Sequence, residues 1–440
     1  MDDGLRIHGS ERRGADFVDS VASGRFLFSM VMSYTSTCEV PGLTIAGADA
    51  ASFKFTPPAD AEYLHYGYCR TIKGIPVTPD GKPTPAVLTK AALEHASIPH
   101  VTINAGSRVS PRLPYVATGL GYGGNIRTRD AMSVQDVLHA VDYGRIVGRS
   151  LAPLADCLVI GESIPAGTTT AMAVLYGLGH RARVSSSMPS NPISLKRRVV
   201  RDAFLRLGRE GAGRARQHVP GGKDGRAKDV PDGAAGNAAG TAPGDGRRLP
   251  GRDRPSADAH PERGGSTSDA QATLDDVAPK PPGPGSSEAA RQHYVYRITA
   301  AVGDPMIPFV AGMLSSASVS SKVMLAGGTQ MAAVLAVASG IGYDDSNVAV
   351  GTTSYVAEDK NADFAGLLSD VSDVPAIAVD PGLDASQHAG LRAFAEGYAK
   401  EGVGAGGCII SAMLKTNAGR AEMARAIDAE YSKMFGSRAA

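Results

Sequence analysis

The chain lacks an excess of charge of either sign: 45 Lys and Arg stand against 44 Asp and Glu, a net charge of +1. That balance argues against a cationic nucleic-acid binder or a polybasic membrane binder. Cysteine is scarce, with Cys38, Cys69, Cys157 and Cys408 far apart and no Cys-x-x-Cys pair. Zinc sites want clustered Cys and His ligands, so no metal is expected and the thiols read as buried and reduced. His95 and His100 have a spacing without a metal motif. The start, Met1-Asp2-Asp3, lacks the positive charge of a secretory leader, and the apolar run FLFSMVM that follows is too short for one. The most apolar long stretch, VMLAGGTQMAAVLAVASG (323–340), is Gly/Ala-rich and holds Thr329 and Gln330, so it reads as strand, turn and buried helix rather than a membrane span. A cytoplasmic protein is expected. Tryptophan is absent and aromatic residues make up 5% of the chain, whereas glycine numbers 53.

The 440 residues allow one large or two to three ordinary domains. One boundary is plain. Residues 211–290 hold 15 Gly, 10 Pro and 15 Ala, no aromatic residue, and only Val219, Val230, Leu249, Leu274 and Val277 as large aliphatics. Such a stretch buries too little apolar surface to offset its ordering entropy, so 209–292 is expected to be a disordered insertion.

Elsewhere short apolar runs alternate with helical periodicity. Strands are expected at 26–35, 98–106, 155–163, 182–187, 322–328, 347–352 and 374–380. Helices are expected at 134–151, 168–179, 194–208, 305–318 and 329–340, and 384–436 reads as helical, broken by EGVGAGG (401–407). PGLTIAGAD (41–49) and TPPADAEYL (56–64) read as loops. The pattern predicts an α/β fold with a parallel sheet flanked by helices, Rossmann-like in layout. Ligands of such sheets sit beyond the carboxyl ends of the strands.

Two stretches match G-x-G-x-x-G, from Gly119 and from Gly402, but neither lies between a strand and an apolar helix, so a dinucleotide site is not expected. Gly161-Glu162-Ser163-Ile-Pro-Ala-Gly167-Thr168-Thr169-Thr170 does follow a strand and open a helix. It lacks the Lys of a nucleoside-triphosphatase loop, yet its amides and helix start can hold a phosphate monoester. Ser185-Ser186-Ser187 forms a second polar strand end, and Lys196 in the next helix supplies a candidate point charge. Glu401, before Gly402 and Gly404, is a candidate general base, since a carboxyl in a partly dry pocket titrates nearer neutrality.

In order, GESIPAGTTTAMAVL (161–175), SSSMPSNPISLKRRVV (185–200), KVMLAGGTQMAAVLA (322–336) and EGVGAGG (401–407) resemble the nicotinate-nucleotide–dimethylbenzimidazole phosphoribosyltransferase family, and its archaeal-type branch in particular. RDAMSVQDVLHAVDYG (129–144) is similar to the segment before that family's glycine loop. The resemblance implies transfer of the 5-phosphoribosyl group of nicotinate mononucleotide to a benzimidazole-type base in cobalamin lower-ligand assembly, yielding α-ribazole 5′-phosphate and nicotinate. It implies Glu401 as catalytic base, Glu162 beside it, Lys196 at the phosphate, and Gly327-Gly328-Thr329-Gln330 at the strand end that lines the site. It further implies a homodimer, small-molecule substrates, no cofactor, and a smaller, mainly helical domain. Residues 1–130 and 384–440 would build that domain and the base pocket, and 131–208 with 293–383 the nucleotide-binding domain. Two alternatives stay open: the same transfer to another base such as adenine, and a non-catalytic nucleotide-binding protein on the same fold. GESIPAGTTT departs from the bacterial GEMGIGNTT at Thr168, and SSSMPSNP from the bacterial RGTG turn, so the amides that hold the phosphate are not fixed by the resemblance.

Overall fold

Eight strands form one sheet: β1 (Leu5–His8), β2 (Phe26–Met32), β3 (His100–Asn104), β4 (Val116–Ala117), β5 (Cys157–Ser163), β6 (Lys322–Ala326), β7 (Val348–Thr353) and β8 (Ala376–Val379). The computed structural model describes residues 4–217 and 273–436. Their order across the sheet is β1-β8-β7-β6-β5-β2-β3-β4, and every pairing is parallel except that of β1 with β8. From β2 the chain steps outward through β3 and β4. It then returns to lay β5 on the other side of β2 and steps the opposite way through β6, β7 and β8. The β2–β5 boundary is therefore a topological switch point, where an open crevice forms beyond the strand ends.

The sheet is buried on both faces, which explains why its strands read as continuous apolar runs. In β5, Leu158 and Ile160 face one core while Cys157 and Val159 face the other, following the two-residue period of a strand. One core takes the helices Val134–Leu151, Gly167–Gly177, Met306–Ala317 and Gln330–Ser339; the other takes Ala86–His95, Ala405–Thr416 and Arg420–Gly436. Glycine lets the helices Val134–Leu151 and Met306–Ala317 meet at backbone distance. A Cβ on Gly144 would sit 2.2 Å from the Phe309 carbonyl, and one on Gly312 would sit 2.3 Å from that of Val141.

Residues 1–130 supply β1 to β4, with β2 beside β5 at the switch point, and the helices Ala86–His95, Ala405–Thr416 and Arg420–Gly436 cover one face of the common sheet. The described residues outside 209–272 all belong to one unit. Several local expectations need correction. TPPADAEYL is not a loop but part of the helix Thr56–Tyr66. Its prolines occupy the first turn, where a missing N–H costs nothing, and residues 57–64 are all buried, so no polar face marks the period. ARVSSS (182–187) makes no strand; Ala182 and Val184 are apolar because they pack into the core, not because they join a ladder. The stretch expected to lack structure is helical at both described ends. Helix Ile193–Gln217 runs into it, and at the far end Leu274–Val277 is a helix with Leu274 in the core. One buried leucine and the Pro281 ring against Gly179 anchor residues 273–281 despite the composition around them. Residues 218–272 lie outside the described residues.

Candidate active site

The β2–β5 switch point opens into a cleft of about 910 Å³, its open mouth included. Three groups of residues surround it. The ends of β5 and β6 give Glu162, Ser163, Gly167, Thr168 and Gln330; the turn after the helix Gly167–Gly177 gives Ser185, Ser186 and Ser187; and the loop before the helix Ala405–Thr416 gives Lys400, Glu401 and Gly402. Residues 43–85 add to the lining Leu43, Ile45, Pro76, Val77, Pro83 and Pro85, interspersed with Thr44, Thr56, Asp60, Thr78 and Thr84. The cleft thus offers hydroxyl and amide donors together with apolar surface against which a flat ring can lie.

Glu162 sits opposite Val31 in the register of β2 with β5, and its side chain is buried. Gln330 Nε2 donates to its Oε1 at 3.3 Å. Burial, then the negative charges of Asp304 and Glu401, push its carboxyl up to about 8. Glu401 is partly exposed to the cleft. Its Oε2 accepts from the Thr353 amide at 3.0 Å, and its Oε1 from the amides of Gly402 at 3.1 Å and Gly406 at 3.2 Å. Removal from water raises its carboxyl to about 7, and those amides hold it from rising further. Two carboxyls near neutrality, one deep and one at the mouth, can take a proton from a ligand N–H and stabilise positive charge beside them.

The Glu401 loop is strained. Ala399 and Val403 have φ of 45° and 54°, and Gly402 and Gly404, which flank Val403, have 154° and 70°. Ala166, at the start of the helix Gly167–Gly177, has φ of 62°. Such non-glycine conformations gather at functional loops. That helix has no side-chain cap; the Gly167 and Thr169 amides donate to the carbonyls of Ile164 and Ala166, which leaves the Thr168 amide open to a ligand or water.

Of the expected site residues, Glu162, Ser163, Gly167, Thr168, Ser186, Ser187, Gln330, Glu401 and Gly402 line the cleft. Gly161, Thr169, Gly327, Gly328, Thr329 and Gly404 do not. Gly161 and Gly404 pack on each other and on the Phe28 ring, the Gly327 amide donates to Gly351, and Thr329 accepts from the Ser185 amide at 3.1 Å. Lys196 also departs from expectation. It is wholly buried and absent from the lining; its ammonium donates to Thr168 Oγ1 at 2.9 Å and to the Ser185 carbonyl at 2.5 Å. Burial, then the Lys400 charge, lower it to about 7.

Sequence reasoning missed two participants. Asp60 is buried in the cleft wall, accepting from Thr84 Oγ1 at 2.7 Å and Ser163 Oγ at 2.8 Å, and burial raises its carboxyl to about 7. The available signal was its place, with Glu62, in a run otherwise free of charge and opened by two prolines, TPPADAEYL. Lys400 gave none beyond its place before Glu401. Among the described residues, no group of three or more His, Cys, Asp or Glu side chains could hold a metal ion, and no helix is long and apolar enough to cross a membrane.

No family model matches the chain. Among solved structures it is similar to the nicotinate-nucleotide–dimethylbenzimidazole phosphoribosyltransferase of Thermus thermophilus, 13% identical with a TM-score of 0.49, over 96% of this chain and 92% of that one. Curated relatives are closer. The UPF0284 protein of Archaeoglobus fulgidus is 37% identical over 387 residues, 88% of each chain. Those of Methanothermobacter thermautotrophicus and Pyrococcus furiosus are 35% and 33% identical, over 94% and 93% of this chain and 94% and 99% of theirs. The chain belongs to the UPF0284 family.

Proposed function

We propose that the protein is a phosphoribosyltransferase that moves the 5-phosphoribosyl group of nicotinate mononucleotide to a benzimidazole-type base, within cobalamin lower-ligand assembly. The observation that carries this reading is the cleft itself. Two carboxyls of raised proton affinity, Glu162 and Glu401, share it with hydroxyl and amide donors and with apolar side chains. The ordered motifs at 161–175, 185–200, 322–336 and 401–407 support the same reading.

The nucleotide's 5′-phosphate takes the donors at Thr168 and the serine turn, and the accepting ring lies against the apolar side chains of residues 43–85. An azole nitrogen attacks ribose C1′ as the bond from C1′ to the pyridinium nitrogen breaks. The pyridine ring leaves with that electron pair and needs no proton. The azole loses its N–H proton to Glu401, so one base suffices. Glu162, deeper in the cleft, stabilises the positive charge that develops on the sugar when it is ionised. Anchoring the remote phosphate orients C1′, which spends binding energy on the reaction. Attack opposite the departing ring inverts C1′ and gives the α-riboside phosphate.

The test is product identification. Nicotinate mononucleotide and 5,6-dimethylbenzimidazole are incubated with the protein, and the products are separated and examined by mass and NMR. α-Ribazole 5′-phosphate with an equal amount of nicotinate supports the reading. Its absence, with adenine converted instead, changes the acceptor and keeps the chemistry. Absence with every azole tried, despite tight nucleotide binding, would favour a non-catalytic binding protein.

A further inference from the structure

Four successive carbonyls of the serine turn are held from outside the turn. Ser185 O accepts from Lys196 Nζ at 2.5 Å, Ser186 O from Lys400 Nζ at 3.1 Å, Ser187 O from the Ala399 amide at 2.8 Å and Met188 O from Lys400 Nζ at 2.9 Å. Lys196 is 0% exposed and Lys400 5%, so three of these bonds come from lysine side chains shielded from water. In a trans peptide the N–H points opposite the C=O. Fixing the carbonyls of Ser185 and Ser186 therefore turns the amides of Ser186 and Ser187 the other way. Both residues line the cleft, and neither amide donates to an acceptor among the described residues. Ser186 is buried and Ser187 half-buried, and a donor kept from water is costly unless a ligand takes it. Two adjacent ones beside an uncapped helix start form a concavity for an oxyanion.

Lys400 reaches Glu401 by a second route. Its backbone carbonyl accepts from Thr353 Oγ1 at 2.6 Å, and the Thr353 amide donates to Glu401 Oε2 at 3.0 Å. Its ammonium, meanwhile, holds the turn and pairs with Asp359 at 3.1 Å. One residue therefore fixes the anion turn through its side chain and the carboxylate's support through its backbone.

We infer that Lys400 is a positioning residue joining the serine turn to Glu401, so that an oxyanion seated on the Ser186 and Ser187 amides also orders the Glu401 loop. Taking that anion as the substrate's 5′-phosphate rests on the proposed function; the coupling itself needs only an oxyanion.

The experiment uses the full chain with inorganic phosphate as probe. Binding is followed by calorimetry, and amide exchange is followed with and without phosphate. Phosphate slows exchange at both 185–188 and 399–404. Lys400→Met binds phosphate about tenfold more weakly, the scale of a lost charge-assisted bond, and loses the protection at 399–404. Lys400→Arg restores most of both. With nicotinate mononucleotide as substrate, Lys400→Met raises KM and lowers kcat together, whereas a merely structural lysine would lower Tm and leave both constants of the folded enzyme unchanged. Unchanged phosphate affinity in Lys400→Met, or protection confined to 185–188, overturns the inference. If that variant does not fold, exchange in the unaltered protein still decides. Lys400-dependent phosphate binding without transfer to any base sinks the phosphoribosyl reading alone; transfer with Lys400-independent phosphate binding sinks the coupling alone.

Discussion

The amide of Val403 donates to the carbonyl oxygen of Glu162 at 2.8 Å. This bond ties the Glu401 loop to the end of β5, although the two residues lie in opposite halves of the chain. Gly404 packs on Gly161 directly beneath it. The two carboxyls therefore share one rigid support.

Glu401→Gln leaves nucleotide binding intact and lowers kcat by about 10²- to 10⁴-fold, the usual contribution of a positioned base. In the unaltered protein the base is active when ionised. Its carboxyl lies near 7, so kcat rises through about pH 7, and it rises further towards about pH 8 as Glu162 ionises. Steady-state kinetics from pH 5 to 9 measures this. A flat profile with intact activity in the variant removes Glu401 from the role.

Glu162 gives a stability signature. Its carboxyl is raised from 4.5 to about 8 in the folded chain. Between those values the native state holds a proton that the unfolded chain has released. The sign is therefore that stability falls as pH rises through this window, by up to about 1.4 kcal/mol per pH unit for the group. Glu162→Gln keeps the shape without the titration. Its Tm gains on the unaltered protein as pH goes from 5 to 9. Parallel Tm curves for the two proteins would contradict the raised carboxyl.

Lys196 links phosphate binding to protons. Its ammonium, lowered to about 7, is partly neutral at pH 7.5, and a phosphate dianion near Thr168 favours the charged form. Binding takes up a fraction of a proton and weakens as pH rises above 7. Calorimetry in two buffers of different ionisation enthalpy reads that fraction. Zero uptake contradicts the placement of the phosphate above Lys196.

Gly404→Ala tests the support. Residue 404 has φ of 70°, and a Cβ there would stand 2.8 Å from the Phe28 ring and 3.2 Å from the Ala326 Cβ. Strain and overpacking together cost about 1–3 kcal/mol, and the displaced loop lowers kcat beyond what the stability loss explains. A variant with native Tm and kcat would show that the Gly161–Gly404 contact is not needed.

Much of this molecule could be read without the structure. The strand–helix alternation after residue 134 emerged because a parallel sheet covered on both faces makes its strands apolar runs and its helices long. The helix Val134–Leu151 was legible to the residue, since Ser133 and Asp136 form a capping box at its start. Glu162 and Glu401 stood out because each borders a glycine turn. The N-terminal third was harder to read. Helix Thr56–Tyr66 is buried along most of its length and shows no period, so Asp60 was hidden with it. Lys196 was legible as a cation but not as a buried one, because nothing local says that its ammonium is consumed by Thr168 and Ser185. Leu274 shows how a single buried side chain anchors the residues next to it, 273–278, although the composition around them argues against order.

The decisive measurement is the rate of nicotinate release from nicotinate mononucleotide, with and without 5,6-dimethylbenzimidazole, in the unaltered protein and in Glu401→Gln. Under the proposed mechanism, release requires the base, matches formation of the ribosylated base mole for mole, and disappears in the variant. Release at the same rate without any base, or full activity in Glu401→Gln, would rule that mechanism out.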